Sequence, residues 1–303
     1  MRRVRRQKLD GGQRLLIGLP LLWLSLFFLV PFLIILRMSL SDPALAQPPY
    51  KPLFDWAQGW EGVTLFLAAL DFENYLTILA DELYLSALIT SLRIALIGTA
   101  LTLLAGYPIA LAIARAKRRW QPFLLALIIL PFWTSFLIRV YAWIALLKQE
   151  GLLNQALLFA GLITQPLEIL NTEIAVQIGI VSCYLPFMVL PLYAVLEKQD
   201  HTLIEAAQDL GCPPTRAFWR VTLPLSLPGI VGGCVLVFIP VLGEFIIPDL
   251  LGGSDTLMLG RLVWSEFFAN RDWPMASTIA MLLLIILALP IIIGQRQARG
   301  ALA

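Results

Sequence analysis

From Leu15 to Leu36 the chain runs for 22 residues without a charged side chain. A helix of that length spans about 33 Å at 1.5 Å per residue, enough to cross a hydrocarbon core of about 30 Å. Inside lipid its backbone N–H and C=O groups can be satisfied only within a helix or a closed barrel. The run is about twice the length of a barrel strand, so it must be helical. Five similar runs follow, and the predicted spans cover residues 15–37, 85–114, 122–147, 173–196, 226–248 and 274–294.

Composition points the same way. Hydrophobic residues make up 59% of the 303 and charged residues 14%, with a mean hydropathy of +0.82. Soluble domains hold about 45–50% apolar and about 25% charged residues. The expected fold is therefore an all-α integral membrane protein with six transmembrane helices, and a soluble enzyme core is excluded. Its predicted parts are a basic tail (1–14), a six-span domain (15–296) that includes a cytoplasmic loop (197–225), and a C-terminal tail (297–303). The basic start MRRVRRQKLD and the tripeptide Ala44-Leu45-Ala46 imitate a cleaved signal peptide. An apolar core of 22 residues exceeds the roughly 7–15 of such peptides, so the segment reads as an uncleaved first span.

Lysine and arginine set the orientation. With the N-terminus inside, the inner segments carry 15 of the 22 basic residues, and the outer ones carry only Lys51, Lys148, Arg261 and Arg271, with Arg37 at a border. This asymmetry places both termini in the cytoplasm. The outer segments hold fourteen acids against those four bases, which makes the outer face negative: attractive to a cation or a basic partner, or simply well solvated. The first outer loop, about 47 residues with the stretch PPYKPLFDWAQGW, is too apolar for plain disorder and is expected to lie on the membrane or over the spans. His201 and the cysteines Cys183, Cys212 and Cys234 have no metal or redox spacing.

One cytoplasmic stretch is neither loop-like nor long enough to span: HTLIEAAQDLGCPPTRAFWRVTLPLSLPG, residues 201–229. Thr202 and Glu205 have capping-box spacing, and Gly211 followed by Pro213 and Pro214 should stop the helix, leaving Leu203 to Leu210. Glu205 either closes that box or, with Ala206 and Ala207 permitting close approach, docks the helix in a groove of another protein. The two roles are compatible.

The series Glu205-Ala206-Ala207, Gly211 and Leu223-Pro224 resembles the EAA loop of binding-protein-dependent ABC importer permeases. LPFWTSFLIRVYAW (130–143), YLPFMVLPLYAVL (184–196), GEFIIPDLLGG and RLVWSEFFANRDWP (within 243–274) resemble the polyamine branch, and most closely the first permease of putrescine importers. The resemblance implies the type I (MetI-like) permease fold in the bacterial inner membrane. It also implies Glu205, Ala206, Ala207 and Gly211 as a coupling helix for a cytoplasmic ATPase. The implied partners are a second homologous permease, an ATPase dimer and an extracytoplasmic polyamine-binding protein. No G-x-x-x-x-G-K-[ST] loop occurs, so this chain is expected to be a transport subunit that binds no cofactor, with ATP and Mg on the partner ATPase.

Ionisable residues inside a span are costly, at about 2.5–3.5 kcal/mol or more, and are functional candidates. Glu244 is expected either to line the substrate path and meet an amine, or to pair with Arg139, whose own expected role is structural pairing or gating. Arg93 is expected to snorkel or pair near the outer end of its span. For a dication such as putrescine, Trp133, Tyr141, Trp143 and Tyr184 offer ring faces and Asp249 a second carboxylate, although aromatic residues in spans also serve as packing or interface belts. Two other readings remain: an ion-gradient-driven secondary transporter, and an ABC permease for spermidine or another small cation. The first should show paired broken helices in inverted repeats, which the sequence does not display.

Overall fold

The computed structural model describes residues 11–53 and 59–300. Residues 1–10 of the predicted N-terminal tail, 54–58 of the first outer loop and 301–303 of the C-terminal tail lie outside the described residues. In chain order the helices are α1 (Leu16–Ser39), α2 (Gly59–Ala68), α3 (Glu73–Ala80), α4 (Glu82–Arg115), α5 (Gln121–Trp133), α6 (Phe136–Leu147), α7 (Leu152–Phe159), α8 (Glu173–Leu196), α9 (His201–Asp209), α10 (Pro214–Leu242), α11 (Ile246–Leu251), α12 (Leu259–Trp264) and α13 (Trp273–Gly300). A two-residue antiparallel pairing joins Asp42–Pro43 to Tyr50–Lys51.

Four of the described helices, α1, α4, α8 and α10, are long and apolar enough to cross a membrane. The bent pair Gln121–Trp133 and Phe136–Phe159 makes a fifth crossing if counted as one, and α13 is apolar over Trp273–Ala288. The predicted third span, 122–147, is therefore not one rod: its halves meet at 91°. The cause is local. Pro131 starts a tight 3₁₀ turn over Leu130–Trp133, and the Thr134 N–H and Oγ1 both donate to the Pro131 carbonyl at 3.2 and 2.7 Å. These bonds replace the next helical turn.

The predicted fifth span, 226–248, also ends early. Helix α10 continues past Pro240 and stops at Leu242, and α11 starts afresh at Ile246. The break falls at Gly243 and Glu244, three residues past Pro240.

The described residues fall into two compact units, those up to Ile78 with Glu266–Met281, and Leu79–Ser265 with those from Leu282 on. In the first, polar bonds knit the C-terminal end of α1. Ser39 Oγ meets the Tyr75 hydroxyl at 2.8 Å, the Ser39 carbonyl accepts from Thr278 Oγ1 at 3.0 Å, and the Asn74 amide donates to the Ser41 carbonyl at 2.8 Å. The outer loop folds back here: Arg37 donates to the Pro52 carbonyl at 3.1 Å and lies 4.7 Å from the Phe66 ring.

The second unit is built on α4, α8 and α10, with Ile94, Ile180, Met188, Leu192, Val237 and Val241 fully buried among them. In lipid no hydrophobic effect drives helices together, so close fit must do it. Met188 supplies the fit. Its side chain lies where a Cβ on Gly106 would stand 2.9 Å away and a Cβ on Gly233 2.6 Å away, so a methyl at either position would force Met188 to shift. The result is a close-packed three-helix core that carries the 197–225 loop at one end and the Gly243–Glu244 break at the other.

Candidate functional site

Between α8 and α10, α9 is a short peg with both termini closed. Asp200 is extended, and its Oδ1 accepts the Thr202 N–H at 3.0 Å. The predicted Thr202–Glu205 capping box is therefore replaced by an aspartate cap. The helix begins earlier than expected, at His201, because an ionised carboxylate is a stronger acceptor than a hydroxyl. The other end follows the expectation: Gly211 adopts φ +81°, its N–H bonds to the Gln208 carbonyl at 2.8 Å, and the Cys212 N–H bonds to the Ala207 carbonyl at 3.0 Å. This is a Schellman motif, with glycine where other residues are strained. Glu205 and Ala206 are exposed, and Leu203 and Leu210 beside them are 48% and 90% exposed.

At the other break, Glu244 turns back on the chain that follows it. Its Oε1 accepts the Phe245 and Ile246 N–H groups at 3.1 and 3.0 Å, and its Oε2 accepts a short bond from the Tyr184 hydroxyl. The carboxylate thus caps α11 and ties it to α8 while only 8% exposed. Arg139 does not pair with it. Among the described residues neither is in an ion pair. The guanidinium instead lies 5.4 Å from the Phe132 ring and 5.8 Å from Phe136, with Nε and Nη1 buried and without hydrogen-bond partners. Three of the carboxylate's roughly four acceptor positions are occupied. One is left for an incoming donor.

Comparison with known proteins assigns the frame in which these two places work. Residues 103–298 match the family model described as the inner membrane component of binding-protein-dependent transport systems. This chain belongs to that family. It is 39% identical over 284 residues to the spermidine/putrescine transport system permease protein PotB of Haemophilus influenzae, covering 94% of this chain and 93% of that one. It is 43% identical over 227 residues to PotB of Escherichia coli, covering 75% and 82%. In fold it resembles a bacterial ABC transporter that imports the acidic polysaccharide alginate, with a TM-score of 0.67 at 17% identity over 95% of this chain and 96% of that one. It also resembles the inward-facing MetNI methionine ABC transporter, with a TM-score of 0.53 at 18% identity over 71% and 94%.

The chain is thus an ABC importer permease of the inner membrane, a membrane subunit and not an enzyme, and its family implies a separate ATPase and a binding protein as partners. Within the permease the remaining predicted residues scatter. Asp249 bonds Arg261 Nε at 3.0 Å, and both side chains are more than 40% exposed. Arg93 pairs with Glu173 at 2.7 Å. Trp143 lines an open groove of about 570 Å³ with Leu101, Gln177 and Ser182. Trp133 and Tyr141 are 83% and 56% exposed, facing away from the core. Only Tyr184 and Glu244 are brought together. Sequence reasoning missed Asp200 as the cap, although an aspartate just before a helix is a recognised start signal. It also missed Arg261 as the partner of Asp249, which no local spacing announces.

Proposed function

We propose that this permease passes polyamines, putrescine or spermidine, from an extracytoplasmic binding protein into the cytoplasm, driven by ATP hydrolysed on a partner ATPase. The observation that carries the reading is near-full-length similarity, 39% over 94% of the chain, to a spermidine/putrescine permease. In this reading α9 is the coupling helix: Glu205, Ala206 and Ala207 enter a cleft of the ATPase, and Gly211 sets the helix end that fixes their angle. ATP and Mg bind to that partner, and a second homologous permease completes the path.

Glu244 is the charge the substrate meets. Tyr184 and two backbone amides hold it in place, and the remaining acceptor position takes an alkylammonium. The aromatic faces of Trp133, Tyr141 and Trp143 and the carboxylate of Asp249 are weaker stations for the same cation. Arg139 is a gating charge, since a cation is no ligand for a dication.

The test is uptake of labelled putrescine and spermidine by vesicles holding the complete importer. Uptake that requires internal ATP and the binding protein, and that each polyamine competes for, is the expected result. Uptake that persists without ATP under an intact ion gradient would make this a secondary transporter.

A further inference from the structure

Beneath the coupling helix lies a cavity that the transport reading leaves unused. It measures about 940 Å³ and is bounded by the inner end of α4 (Arg115), the turn after it (Arg118), the first residue of α5 (Gln121), the residues after α8 (Glu197, Lys198), the underside of α9 (Ile204, Gln208) and the start of α10 (Phe218, Thr222). Three cations face one acid there, and among the described residues none of Arg115, Arg118 and Lys198 is in an ion pair. Cations that share one rim attract an anion to it.

A second feature lies in the wall of the cavity. Thr222 lines this cavity, is 1% exposed, and its Oγ1 has no hydrogen-bond partner in the chain. A buried hydroxyl left without a partner costs about 1–3 kcal/mol. Gln121 is already engaged, donating to the Ala114 and Ala116 carbonyls at 3.1 and 3.2 Å, so it shapes the wall and does not supply the missing partner. Two guanidinium forks, an ammonium and a hydroxyl suit the oxygens of a phosphate better than a planar carboxylate, and Ile204 and Phe218 give the cavity an apolar side. Its position at the inner, basic end of the spans is where headgroups of the cytoplasmic leaflet lie.

We propose that this cavity binds a phosphate group, that of an acidic phospholipid headgroup or of a free phosphate anion, and that the bound phosphate braces α9 against α4 and α8. Occupancy then stiffens the coupling helix from behind, on the side opposite its exposed face. A ligand here regulates how firmly the ATPase stroke reaches the spans, without touching the transport path.

The experiment uses the assembled importer in nanodiscs of phosphatidylcholine alone, of phosphatidylcholine with phosphatidylglycerol, and of phosphatidylcholine with inorganic phosphate added. Amide hydrogen exchange over residues 201–209 reports the bracing. Exchange is expected to slow several-fold with phosphatidylglycerol if the source is lipid, or with inorganic phosphate if it is a free anion. The Arg115→Gln/Arg118→Gln variant should need about 30-fold more of the same ligand, the effect of removing two surface cations. Thr222→Val, which keeps the side-chain volume, should weaken the response several-fold while leaving exchange in phosphatidylcholine unchanged. No slowing with either ligand overturns the proposal. So does a double variant that responds like the wild type. If that variant fails to assemble, an unaltered response of Thr222→Val overturns it instead.

Discussion

Two short helices in this permease, α9 and α11, are each started by a carboxylate, and the difference between the two caps separates their work. Asp200 caps α9 on the polar surface by accepting a neighbouring amide. Glu244 caps α11 with two, takes a third from Tyr184 on another helix, and is 8% exposed. The first carboxylate is a local device that water could replace in part. The second joins two elements from a buried position, and removing it takes the acceptor from three donors at once. A cap at the surface shapes a helix; a buried cap with a free acceptor position can also hold a passing charge.

The comparison breaks most visibly if the buried cap is removed. Glu244→Ala leaves two amides and a phenol without an acceptor, each at about 1–3 kcal/mol, so the yield of assembled importer on size-exclusion chromatography should collapse. Ala206→Trp places a bulky ring on the exposed face of α9 without disturbing the core. The permease should still insert, while ATPase association measured by pull-down, and uptake with it, should fall more than about tenfold. Gly211→Ala has open space around the new methyl but forces φ +81° on a residue with a Cβ. It should destabilise the end of α9 by about 1–2 kcal/mol and cut transport-coupled ATP hydrolysis several-fold. Asp200→Ala should weaken α9 by about 1 kcal/mol, seen as faster amide exchange over the peg with assembly unchanged. The smallest effect belongs to Asp249→Asn. Its pair with Arg261 is solvent-exposed, and uptake should change by less than about fivefold, in line with the 0–1 kcal/mol of such pairs.

How much of this was legible in the chain follows the same division. Long apolar runs, the lysine and arginine asymmetry and Gly211 before two prolines act through neighbouring residues, and they gave the membrane fold and the end of the peg. Asp200 was legible too, but Thr202 with Glu205 offered a competing start two residues later, and acceptor strength decided between them. The break at Gly243 and Glu244 was not legible. It involves Tyr184, 60 residues earlier, bonding to the same carboxylate, which no local spacing announces. Likewise a pairing of Glu244 with Arg139 was reasonable from charge alone. The structure instead rests that guanidinium on Phe132 and Phe136 and fills the carboxylate with hydrogen-bond donors.

The account turns on whether the charge of Glu244 does more than cap a helix, and Glu244→Gln isolates that charge. Glutamine keeps an oxygen for the Phe245 and Ile246 amides, so α11 and the assembled complex should persist. Putrescine uptake by vesicles with ATP and loaded binding protein should then fall about 10- to 100-fold, the loss of one charge-assisted bond to an ammonium. Uptake equal to wild type from an equally assembled complex would show that Glu244 is only a structural cap, and the polyamine path would have to lie elsewhere.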